Sequence, residues 1–90
     1  MWWIVDPPKM YRCHIALIQE DDDGYSAIVL NLPGVVSCGE TKEEAMQNVK
    51  EAIRGALESY LADDQEIPWL NEFEYDIPYN ASTRWIVVSL

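Results

Sequence analysis

Residues 41–62 carry the pattern that constrains this chain most. Ala45, Met46, Val49, Ala52, Ile53, Ala56, Leu57, Tyr60 and Leu61 recur at spacings of three and four, which is one apolar stripe along a helix. Glu43, Gln47, Lys50, Glu51, Arg54 and Glu58 fall outside that stripe. Thr41 stands at the N-cap position with Glu44 three residues on, the arrangement of a capping box. Lys50 and Arg54 are like charges four apart, but Glu51 and Glu58 flank Arg54 and offset them. Gly55 falls on the polar side, where it costs about 1 kcal/mol relative to alanine; packing against another chain would account for it. A helix with one stripe needs one apolar layer to lie on.

The residues before the helix supply that layer. Residues 11–19 alternate with a period of two: Tyr11, Cys13, Ile15 and Leu17 share one face, and Arg12, His14, Ala16 and Ile18 the other. Glu20, Asp21, Asp22, Asp23 and Gly24 form a turn, with Asp23 and Gly24 able to supply the positive φ of a tight hairpin. Residues 25–31 read as the second strand, Leu32, Pro33 and Gly34 as a turn, and residues 35–38 as a short third strand. The β-branched run 84–90 closes the chain as a further strand. The expected fold is α+β with two layers: a three-stranded antiparallel meander, one packed helix and a closing strand, in the order β-β-β-α-β. The helix is expected to return the last strand parallel to the first through a right-handed crossover.

Residues 63–83 are harder to place, because a structureless stretch of that length is unusual in a compact domain. Between Pro68 and Pro78, residues 72–77 alternate: Phe73, Tyr75 and Ile77 on one side, Glu72, Glu74 and Asp76 on the other. This predicts either a short extra strand or an arm that docks on something.

Composition narrows the function. Sixteen acidic residues against six lysines and arginines give a net charge of −10, which opposes binding to nucleic-acid phosphate or to an anionic membrane surface and suits a basic protein partner. No apolar run is long enough to span a bilayer, and the first six residues do not form a signal peptide, so the chain reads as cytoplasmic. Cys13 and Cys38 make no disulfide scaffold and read as reduced, half-buried thiols. With His14 as the sole histidine and no CxxC, no zinc site is expected. Asp21, Asp22 and Asp23 do not fit a calcium-binding EF-hand loop, since Gln19 and Leu30 would fall at its first and last ligand positions. The first two strands hold no acid, which argues against a two-metal nuclease. His14 has no neighbouring nucleophile in sequence, and only the fold could bring Ser26, Ser37 or Cys38 to it. No catalytic residue, metal or cofactor is therefore expected. Trp2, Trp3, Trp69 and Trp85 suit packing in interfaces, because no basic groove accompanies them for base stacking.

Several short motifs, in order, carry a resemblance: Asp23-Gly24-Tyr25, Leu32-Pro33-Gly34, Gly39-Glu40-Thr41, Glu43-Glu44-Ala45 and Glu51-Ala52-Ile53. Their order and spacing along residues 11–62, with the closing strand, resemble the HicB antitoxin family. The resemblance implies a degraded RNase H-like fold and a partner, a small basic mRNA-cleaving HicA toxin that the antitoxin binds and occludes. HicB antitoxins often add a C-terminal DNA-binding domain. The sequence stops at Leu90, so the expectation is one domain over residues 1–90 without that addition, and no direct operator binding. The competing expectation is a stand-alone oligomeric HicB-like regulatory or structural protein with no toxin.

Two surfaces follow as expectations. Glu72, Phe73, Glu74, Tyr75 and Asp76, with Asp21, Asp22 and Asp23, are the candidates for contact with the toxin. Trp2, Trp3, Phe73 and Tyr75 are the candidates for a homodimer contact, because one small core hides only roughly 60–65% of the unfolded surface and is too small for so many aromatics.

Overall fold

The computed structural model describes residues 9–90. Trp2 and Trp3 lie outside the described residues. The chain forms β1 (Met10–Gln19), β2 (Tyr25–Val29), β3 (Val36–Gly39), α1 (Lys42–Ala62) and β4 (Ser82–Ser89). The strands make one sheet in the order β3-β2-β1-β4, and every neighbouring pair is antiparallel. The expected α+β two-layer arrangement is what forms.

The hairpin between β1 and β2 turns on Asp23, whose φ of 69° is positive, while Gly24 does not take the left-handed region. Asp23 donates its N–H to the Glu20 carbonyl at 3.1 Å, and Glu20 donates to the Gly24 carbonyl at 2.8 Å. Aspartate tolerates this conformation because its short polar side chain can bond locally. In the next turn Gly34 takes a φ of 84°, as a residue without a Cβ readily does. Gly39 is needed for a different reason: a Cβ there would stand 2.5 Å from the Ala45 nitrogen, so β3 could not approach the first turn of α1 with any larger residue. Gly55 is exposed with nothing within 4 Å of an added Cβ.

The helix begins as its cap predicts, with Thr41 Oγ1 accepting from the Glu44 N–H at 3.1 Å. Its C-terminus closes with two backward bonds, Gln65 N–H to the Tyr60 carbonyl and Asp64 N–H to the Leu61 carbonyl, while Asp64 takes a positive φ of 54°. That is a Schellman closure with aspartate where glycine is usual. Ala45, Met46, Val49, Ile53 and Leu57 are buried against Cys13, Ile15, Leu17, Ala27, Val29 and Val88. The core is therefore the helix stripe on one face of the sheet.

One topological expectation is corrected. β4 runs antiparallel to β1, with Met10 opposite Ser89 and Leu17 opposite Ser82, rather than parallel to it. The helix alone would deliver the chain to the end of the sheet from which a parallel strand starts. Residues 63–81 then make a second pass along the sheet, so β4 begins at the opposite end and runs the other way. Those residues form no strand and no helix; the alternation at 72–77 is not a strand. That length, unusual for a loop, is the length needed to travel back.

Candidate protein-partner surface

The face of the sheet away from α1 is built by the other half of the alternation. Pairing places His14 beside Trp85 and Arg12 beside Val87 across β1 and β4. His14 and Trp85 stack with their rings nearly parallel and centroids 4.3 Å apart. The Arg12 guanidinium also lies over the Trp85 ring, 4.8 Å from its centroid. Large flat side chains in register on neighbouring strands stack in this way because their Cβ atoms are held about 5 Å apart.

Asn31 anchors the lower part of this face. Its Oδ1 accepts from the His14 N–H and its Nδ2 donates to the Arg12 carbonyl, each at 3.0 Å. The Leu30 N–H donates to the His14 carbonyl at 2.8 Å. The Asn31 side chain thus continues the ladder past the end of β2, which spares β1 unpaired groups in a buried place. Nothing in the sequence pattern marks Asn31 for this beyond its position at the end of an apolar run.

The connection 63–81 joins the two faces. Trp69 stacks on Tyr11 at 5.9 Å, Leu70 donates its N–H to the Asn31 carbonyl at 2.9 Å, and the Tyr75 hydroxyl lies 2.8 Å from His14 Nδ1. Desolvation, and then the nearby Glu72 carboxylate, hold the Tyr75 phenol above its ordinary value of 10.0, so it keeps its proton at neutral pH. It can donate to a neutral imidazole, or accept from Nδ1–H in the other tautomer. His14 is therefore a buried fastening point for the connection.

Between Leu70 and Tyr75 the chain makes a tight turn around Asn71. Asn71 Oδ1 accepts from the Phe73 N–H, the Asn71 carbonyl accepts from the Glu74 N–H, and Glu74 Oε1 accepts from the Asn71 N–H. This Asx-type turn points Phe73 outward, 97% exposed. Phe73 and Tyr75 do not share a face as a strand would require: one faces out and the other is fastened to His14. Glu72, Glu74 and Asp76 are all exposed around them, and Tyr79 further along is fully exposed.

Asp21, Asp22 and Asp23 lie at the far end of the β1–β2 hairpin. They line an open cleft with Glu20, with Glu40 from the β3–α1 junction and with Glu44 from the first turn of α1. Six carboxylates thus gather where the sequence reading marked three, because the β3–α1 junction packs beside the hairpin tip. Two are already engaged: Asp22 Oδ1 accepts from the Gly24 N–H at 3.1 Å, and Glu20 Oε1 from the Ser26 hydroxyl at 2.7 Å. Every acidic side chain among the described residues lies outside the four strands. The sheet is apolar and faintly basic, and the loops and helix carry the negative charge.

Neither cysteine joins a disulfide. Cys13 is completely buried beneath the helix, and burial pushes its thiol up from 9.0 to about 11. Cys38 is exposed, not half-buried, because it sits on the uncovered face of a short edge strand. Among the described residues no three or more histidine, cysteine or carboxylate side chains are placed so that they could hold one metal ion, and no helix there is long and apolar enough to cross a membrane.

Known proteins resemble this chain, one in its solved structure and others in sequence. A crystal structure of the N-terminal domain of the Burkholderia pseudomallei antitoxin HicB matches with a TM-score of 0.67 and 30% identity, covering 89% of this chain and 98% of that one. A UPF0150 protein from Synechocystis is 42% identical over 71% of this chain and 81% of its own length. A UPF0150 protein from Thermoplasma acidophilum is 40% identical over 71% of this chain and 94% of its own. An uncharacterized 14.9 kDa protein from the rep-hol intergenic region of Haemophilus phage HP1 is 46% identical, but the match spans only 43% of that protein's length. The family model described as HicB-like antitoxin of bacterial toxin-antitoxin system matches residues 13–90, all four paired strands and the helix included but for the first three residues of β1, and the chain belongs to that family.

Proposed function

We propose that this protein neutralises a small basic mRNA-cleaving toxin of the HicA type by covering the site where that toxin holds RNA phosphates. Membership of an antitoxin family points to a regulatory role carried by binding rather than by catalysis. The observation that carries the reading is the turn at Asn71, which holds Phe73 97% exposed among the exposed carboxylates Glu72, Glu74 and Asp76. An aromatic ring on a pinned turn loses little freedom on binding and can fill a pocket, while the carboxylates around it replace phosphates on a cationic surface. Tyr79 offers a second exposed ring on the same connection. Tyr75, already bonded to His14, positions the turn rather than entering the partner. The carboxylate cleft at Asp21, Asp22 and Asp23 adds attraction at long range, since net charge steers encounter between oppositely charged proteins.

The same reading has the protein as a homodimer that makes no direct contact with nucleic acid, in keeping with a net charge of −10. The test is co-expression with the product of the adjacent reading frame. A small basic protein that co-purifies with this chain, and whose RNA cleavage stops when the complex forms, is the expected result. A chain that purifies alone and leaves such a ribonuclease fully active when mixed with it would refute the proposal.

A further inference from the structure

The two edges of the sheet differ. β3 offers four residues, with Glu40 following directly and the hairpin carboxylates beside it. β4 offers eight residues and no acid, no proline and no lysine, so it lacks the usual devices that keep an edge from pairing.

The backbone directions on β4 follow from the ladder. His14 uses its N–H and C=O towards Asn31 and Leu30, so the even-numbered residues of β1 face β2. The odd-numbered residues of β1 then face β4, and their partners are Ser82, Arg84, Ile86 and Val88. Leu90 continues the series by donating its N–H to the Lys9 carbonyl at 3.0 Å. The N–H and C=O groups of Thr83, Trp85, Val87 and Ser89 must therefore point away from the sheet. No hydrogen bond among the described residues reaches any of them. The side chains of the same four residues lie on the face away from α1, where Trp85 is 44% and Val87 54% exposed.

We propose that this edge pairs antiparallel with β4 of a second copy of the chain, with Ile86 on the two-fold axis. The inference rests on the homodimer reading above and names the surface that makes it. An antiparallel pairing of one strand with itself is a closed, isologous contact. Centring it on Ile86 sets Thr83 opposite Ser89 and Trp85 opposite Val87, so all four outward-facing residues of each copy find a bonded partner. A centre on Trp85 or Val87 leaves one of the four without one. The chosen register also covers both exposed apolar side chains, Trp85 of one copy lying against Val87 of the other. Arg84 falls opposite Val88, which keeps the two guanidinium groups from facing each other. Charge favours this edge: two chains of −10 each repel, and the strands are where no acid lies.

The test is sedimentation of the whole chain at high micromolar concentration, beside Val87→Lys and Val87→Pro. Lysine places a charge in the contact. Proline removes an outward N–H that β1 does not use, so the ladder within one chain keeps its bonds. The wild type is expected at twice its 10.4 kDa mass and both variants at 10.4 kDa with unchanged circular dichroism. Amide exchange of wild-type Trp85 and Val87 is expected to slow with rising concentration, which needs no variant to fold. A dimer that survives both substitutions would overturn the edge while leaving the homodimer standing. A wild type that is monomeric throughout would overturn both. Exchange protection independent of concentration and lost on removing residues 1–8 would assign the edge to the chain's own N-terminus, and overturn the proposal.

Discussion

The two faces of the sheet are covered by different means. On one, α1 lays five fully or nearly buried residues at helical spacing onto three strands. On the other, an irregular connection, after packing Ile67 and Trp69 against the edge of the core, is fastened by the bond from Leu70 to Asn31 and by one hydroxyl on one imidazole. Burial spread over a periodic stripe gives stability that no single contact dominates. Attachment at a few points gives position at little cost in rigidity, and leaves the residues between the points exposed. The first face holds the fold together and the second displays a surface.

The sharpest way to break this comparison is to truncate one residue on each face. Ile53→Ala removes a side chain with no exposed surface from the middle of the stripe and should cost about 2–5 kcal/mol. Phe73→Ala should leave the unfolding midpoint in urea essentially unchanged. Comparable losses at both positions would mean that the connection is part of the core.

A smaller effect comes from Cys13, which lies under the helix on the covered face. Its thiol titrates near 11 in the folded chain against 9.0 when free. The folded state holds the proton more tightly, so its contribution is complete below pH 9 and is lost as pH rises from 9 through 11. A shift of two units corresponds to about 2–3 kcal/mol. Urea unfolding at pH 8 and pH 11 should show a fall of this size that is clearly reduced in Cys13→Ala. An equal fall in both proteins would place its origin elsewhere.

The covered face was legible in the sequence because its information is repeated. Nine apolar residues at spacings of three and four, a threonine three residues before a glutamate, and alternation in the flanking strands all point the same way. The open face was not legible, because its information is single. No periodicity joins Tyr75 to His14 across sixty-one positions, and none marks Asn31 as the end of a ladder. The alternation at 72–77 even pointed to a shared face for Phe73 and Tyr75 that the Asn71 turn prevents. The direction of β4 was misjudged for a related reason: it depends on how far a patternless segment travels, which its residues do not encode locally.

The smallest stability effect belongs to the fastening. Tyr75→Phe removes the hydroxyl and keeps the ring, and should cost about 1 kcal/mol. Amide exchange at residues 71–81 should quicken while exchange within α1 stays as it was. Equal quickening in both regions would show that the hydroxyl supports the whole domain.

The claim that the open face displays a partner surface is tested most directly by the dissociation rate of the cognate toxin from Phe73→Ala. A pocketed aromatic ring contributes about 2 kcal/mol or more, so dissociation should quicken roughly thirty-fold with stability intact. Replacing Glu72, Glu74 and Asp76 with Gln, Gln and Asn should instead slow association and flatten its dependence on salt. A dissociation rate equal to that of the wild type in Phe73→Ala, and again after residues 71–77 are replaced by a Gly/Ser segment of the same length in a protein that remains folded, would contradict the account.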